Sequence, residues 1–192
     1  MAITDKTAIE NYLLIDIDDT WNAQITEWIA AVESYMNKKT DRILMAGDED
    51  GTYYYDTVAS RNYVRIDDFQ SITSVEDVDT AQMLTDYYYP YPRNGTYVNR
   101  IDLHDGYYWT TGRRKIKIVG KRGMFTEETL PADLKLAATI LVAGIINYSN
   151  TSQGEIKSES IGRYSVTYAT TAEMKSAAME VDDILKTYRR IR

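Results

Sequence analysis

The spacing of apolar residues changes character twice along this chain. Trp21, Ile25, Trp28, Ile29, Val32, Tyr35 and Met36 recur at three- and four-residue steps, which predicts a long amphipathic helix. A short helix carrying Ile9, Tyr12 and Leu13, capped by Thr4 or Thr7, is predicted ahead of it. The Asp-rich stretch 16–20 separates the two, and Asp18 or Asp19 caps the long one. From 42 to 125 the period shortens to two. Strands are predicted over 52–58, 62–66, 71–78, 96–103 and 115–119, the last placing Ile116 and Ile118 on one face. Gly47-Asp48-Glu49-Asp50-Gly51, Arg93-Asn94-Gly95 and His104-Asp105-Gly106 supply turn chemistry between them. Tyr87-Tyr88-Tyr89-Pro90-Tyr91-Pro92 predicts a loop or a sheet edge.

Beyond Phe125 the helical period returns. Pro131 suits a first helical position, and residues 134–148 are apolar around almost the whole circumference. A helix with no polar face belongs in a core or between subunits. Gly144 interrupts it, which predicts the close approach of another backbone. A further helix over 172–188, capped by Thr170 or Thr171, carries Met174, Ala178, Val181, Leu185 and Tyr188 as its stripe and runs into Arg189-Arg190-Ile191-Arg192. Between these helices, 156–168 has little to pack on either face and reads as an extended arm. The fold class is therefore α+β: a helical bundle of two N-terminal and two C-terminal helices, an inserted small antiparallel β domain, and a strand arm before the last helix. The expected division is 1–41 and 126–192 for the helical core, with the arm at 154–168 and a basic tail at 186–192, and 42–125 for the insertion.

Composition narrows the function classes. Cysteine is absent, which removes disulfides, thiol nucleophiles and cysteine metal sites. The net charge of −7 argues against gripping nucleic acid through phosphates, and the longest apolar run is too short to span a bilayer. No amino-terminal stretch resembles a signal peptide. Residues 1–41 hold eight acids against three bases, whereas 131–192 hold seven against eight. Such polarity suits contacts between unlike surfaces. Seventeen tyrosines accompany only two phenylalanines, and tyrosine suits both solvent-facing strands and interfaces.

No constellation of catalytic chemistry stands out. Asp16, Asp18, Thr20, Asn22 and Glu27 fall at calcium-loop positions, but Trp21 occupies the place where the sharp turn requires glycine, so an acidic helix start is the better reading. His104 lies between Asp102 and Asp105 without a nominated nucleophile. Gly120-Lys121-Arg122-Gly123 lacks the spacing of a phosphate loop. Arg113, Arg114, Lys115, Lys117, Lys121 and Arg122, with Tyr107 and Trp109 near, resemble a single-strand platform. A strand face neutralised by acids accounts for them better. No cofactor or metal is expected.

The order of pieces resembles the head–tail connector (adaptor) proteins of long-tailed phages. Three features carry the resemblance: a helix opening at Pro131 and Asp133, the segment Ser158-Glu159-Ser160-Ile161-Gly162-Arg163-Tyr164-Ser165-Val166-Thr167-Tyr168, and an Ala-rich helix from Thr171. The short helix around 9–14 and the Asp-rich break before Trp21 match at the other end. The resemblance implies a non-enzymatic virion protein, made in the host cytoplasm and placed in the neck. It implies a homo-oligomeric ring, a dodecamer in the virion, docked on the portal protein and meeting a stopper or tail-completion protein. Genomic DNA would pass through its channel without sequence-specific binding, and no membrane is involved. By the same resemblance, Tyr188, Arg189, Arg190, Ile191 and Arg192 would bind the portal. Ile156, Ser158, Ser160, Ile161, Gly162, Tyr164, Val166 and Tyr168 would form an inter-subunit arm. The insertion exceeds that of the shortest family members, which leaves its role open. A tyrosine-rich β module binding carbohydrate or another virion protein is the alternative reading, and an unrecognised hydrolase a third.

Overall fold

A computed structural model describes residues 2–58, 61–84, 87–151, 158–161, 164–167 and 171–190. The chain forms two compact units, one from Arg42–Leu130 and the other from Ala2–Asp41 together with Pro131–Arg192.

The helical unit is built from α1 (Lys6–Leu13), α2 (Asn22–Thr40), α3 (Ala132–Thr151) and α4 (Thr171–Tyr188). The cap of α1 is Asp5, whose carboxylate accepts from the Ala8 backbone N–H at 2.8 Å, rather than Thr4 or Thr7. Thr4 is instead buried, 2.7 Å from the Thr139 hydroxyl. A hydroxyl already committed to the interior cannot satisfy a helix end. A 3₁₀ turn, Asp19–Trp21, capped by Asp18, leads into α2. Ile25, Ile29, Val32 and Met36 of the predicted stripe are buried, but Trp21 and Tyr35 are exposed.

The apolar α3 lies at the centre of the unit, packed by α1, α2 and α4. Leu134, Ala137, Ala138, Val142 and Ala143 are almost fully buried. Its own chain thus buries most of this helix, while Leu136 stays 43% exposed and Leu141 and Ile145 are half-buried. Among the described residues nothing lies within 4 Å of a Cβ built on Gly144, so the predicted close backbone is absent there. The described stripe of α4 buries Val181 and Leu185; the side chains of Met174 and Ala178 lie outside the described residues.

The β unit is an antiparallel sheet in the order β1 (Gly51–Thr57), β6 (Gly112–Arg122), β2 (Tyr63–Asp77), β5 (Val98–Leu103), β4 (Tyr88–Tyr91), with the two-residue β3 (Gln82–Met83) also on β2. Two of the predicted strands are one here. β2 runs fifteen residues because irregular pairing around Ser71 and Ile72 lets it continue along β6. Ile116 and Ile118 face a core completed by Val64, Ile66, Phe69, Val75 and Ile101. Tyr53 and Tyr55 pack edge-on against Phe69. The Arg42 guanidinium lies 2.8 Å from buried Asp68. Gly123, at φ +136, passes Ala46 so closely that a Cβ would sit 2.4 Å from its Cα, a place only glycine fits.

Candidate interaction surfaces

The predicted chemistry resolves into structural roles. Asp18 accepts from the Thr20 N–H at 2.8 Å, and that hydrogen bond holds its carboxyl below the usual carboxylate range. Among the described residues no group of acids and histidine could hold a metal ion. His104 stacks on Tyr89 at 4.0 Å, and Asp102 pairs with Arg100 at 2.7 Å. In the basic cluster Lys117 meets Glu76 and Arg122 meets Asp67, both at 2.8 Å, while Lys115 is bonded to Asp79. Acids on β2 and in the turn after it thus pair with three of the six bases.

Of the predicted portal-binding residues, Tyr188 closes α4 and donates its hydroxyl to the Asp133 carboxylate at 2.9 Å. Burial, reinforced by this charged acceptor, pushes its pKa up to about 12. The Arg190 backbone N–H donates to the Thr40 carbonyl at 2.8 Å, and Arg189 is exposed. Ile191 and Arg192 lie outside the described residues. In the predicted arm, β7 (Ser158–Ile161) and β8 (Tyr164–Thr167) pair antiparallel, Ser158 with Thr167 and Ile161 with Tyr164. The arm is therefore doubled rather than single. Ile156, Gly162 and Tyr168 lie outside the described residues.

Two surfaces went unnoticed in the sequence. The first is a groove of about 190 Å³ in the helical unit, floored by Ile17, Ile25, Trp28 and Ile146, with Trp21 6.1 Å from Trp28 and with Asp16 and Asp18 at its rim. Beside it Leu14 is 89% exposed and adopts a left-handed conformation, φ 56, which is unfavourable for a residue with a side chain. The second is the outer face of the β4–β5–β2 end of the sheet. Register aligns Tyr63, Asp102 and Tyr89 in one row and Arg65, Arg100 and Tyr91 in the next. Arg100 stacks on Tyr91 at 3.8 Å and Arg93 on Tyr89 at 3.9 Å, while Arg61 and Arg100 both reach Tyr63. Alternation alone could place these tyrosines outward, but the rows form only through cross-strand register.

No protein-family profile and no curated protein matches this sequence. Solved structures do. A chain from the neck of an empty GTA particle, computed with C6 symmetry, superposes with a TM-score of 0.59 at 11% identity, covering 97% of this chain and 89% of that one. A chain from the neck of the native GTA particle, computed with C12 symmetry, gives 0.57 at 13%, covering 97% and 91%. A chain of the virion of the native gene transfer agent particle gives 0.55 at 13%, covering 89% and 79%. This chain has the fold of a neck-particle chain. At such identity the shared property is the path of the backbone, and each side chain has to be argued from its own surroundings.

Proposed function

We propose that this protein is a structural component of a virion neck, a head–tail adaptor with no catalytic role. Its copies form a ring, twelve in the mature virion, beneath the portal. The ring extends the DNA channel and offers a platform to a stopper or tail-completion protein. It is assembled in the host cytoplasm and remains in the particle. The observation that carries this reading is the fold similarity to neck chains, which spans 97% of this chain and so includes the helical unit as well as the β unit.

Physical features of the chain support the reading. A net charge of −7 per copy, repeated around a channel, repels the DNA backbone and lets it slide. The β7–β8 pair forms a two-stranded sheet of its own, and two strands alone are marginal in water. Strand addition to a neighbouring copy would complete it through Ile156, Ser158, Ser160, Ile161, Gly162, Tyr164, Val166 and Tyr168. Tyr188, Arg189, Arg190, Ile191 and Arg192 dock on the portal, with arginine as a charged clamp and Tyr188 and Ile191 as anchors.

The test is co-purification with the cognate portal. Full-length protein should be retained as a ring at the portal, and a variant lacking residues 189–192 should be retained at least tenfold less. Equal retention of the shortened variant rejects the terminal anchor. Failure of the full-length protein to bind portal, with no copy of it in the neck of native particles, rejects the adaptor reading.

A further inference from the structure

A ring of more than two copies needs two different, complementary patches on every copy, because each contact is head-to-tail and closes by rotation. Resting on the ring proposed above, we infer that the tyrosine–arginine face of the sheet on one copy docks on the acidic groove of the helical unit on the next. The charges are opposite. Arg61, Arg65, Arg93 and Arg100 stand against Asp102 alone in the two rows and their stacks, an island of positive charge on a chain of net −7. The groove carries Asp16 and Asp18 at its rim and belongs to the acidic amino-terminal segment.

Chemistry and shape agree with charge. Tyr89 and Tyr91 lie on β4, the edge strand, and are 41% and 47% exposed. Arginine stacking holds both rings in place before any contact is made, which lowers the entropy lost on docking. Tyrosine brings a large apolar ring with a polar tip, the combination suited to a floor of isoleucine and tryptophan under a carboxylate rim. Leu14 and Ile15, 89% and 48% exposed beside the groove, extend the apolar area beyond what a solvated surface requires. Arginine and tyrosine are also the residues that most often dominate interface energetics.

The absence of cysteine from the chain makes the test clean. A variant carrying both Arg93→Cys and Asp16→Cys is assembled on portal and oxidised. A ladder of linked copies reaching ring size is expected, whereas either cysteine alone should give no species beyond a dimer. Charge reversal supplies the second arm: Arg65→Glu or Asp16→Lys alone should lower ring yield about tenfold, and the two together should restore it. Rings that form normally but yield no ladder and no rescue overturn the pairing while leaving the adaptor reading intact. A link confined within single chains overturns it as well. If neither the variants nor the unaltered protein form rings on portal, both proposals fall.

Discussion

Tyr188, the last residue of α4, donates its hydroxyl to both carboxylate oxygens of Asp133, in the first turn of α3, at 2.9 and 3.0 Å. A phenol on a carboxylate is favourable only while the phenol keeps its proton. The raised pKa of about 12 therefore marks an interaction present below the ordinary tyrosine value near 10 and lost as pH climbs through 12. Tyr188→Phe should destabilise the helical unit by about 0.5–1 kcal/mol, since the bond is charge-assisted but solvent-exposed. It should also flatten the alkaline limb of the stability profile. Urea titrations at pH 7, 10 and 11.5 measure both effects. An unchanged alkaline limb would remove the assigned role of this bond.

Asp68 and Arg42 form the buried ion pair of the β unit, with Asp68 only 3% exposed. Removing one member strands the other charge away from water. Asp68→Ala should cost about 3–5 kcal/mol, and Arg42→Met combined with Asp68→Leu distinctly less. Calorimetry on the three proteins decides between these outcomes. Equal losses for single and double variants would mean that the pair contributes through packing alone.

Gly144 sits in the middle of α3, and among the described residues nothing lies within 4 Å of where its Cβ would point. Gly144→Ala should therefore stabilise the protein by about 0.5–1 kcal/mol, by restricting the unfolded chain and favouring helix. Denaturant midpoints measure it. A loss of stability would place an atom in that space.

Ile140 is 9% exposed on α3. Ile140→Asp should remove the helical unit's cooperative unfolding at pH 7, because an unpaired buried carboxylate is not tolerated. Far-ultraviolet circular dichroism should then show loss of helix with the sheet retained. A native spectrum and melt would contradict the interior placement of α3.

Much of the architecture was legible in the alternation of period. Ile25, Ile29, Val32 and Met36 lie where three- and four-residue spacing puts them, and Ile116 and Ile118 where two-residue spacing does. The failures come from interactions that spacing does not encode. Trp21 and Tyr35 continue the α2 stripe in sequence yet lie exposed, since a stripe says which face is apolar and not where the covering neighbour ends. Thr4 looked like a cap, but a partner 135 residues away claims its hydroxyl. The apolar circumference of α3 does not say what covers each side of it; α1, α2 and α4 pack on most of it, while Leu136 stays exposed. The groove and the tyrosine–arginine rows needed tertiary contact and strand register, neither of which is a local property.

The helical unit joins Ala2–Asp41 to Pro131–Arg192 across an intervening unit, and this has a consequence for synthesis. On the ribosome α1 and α2 emerge first and must wait for α3 and α4 before their apolar faces are covered, while the strands between them can already pair. Nascent chains cut short before α4 would hold a formed sheet and an open bundle, whose uncovered apolar faces expose them to proteolysis. The order of the chain thus acts as a checkpoint on completeness.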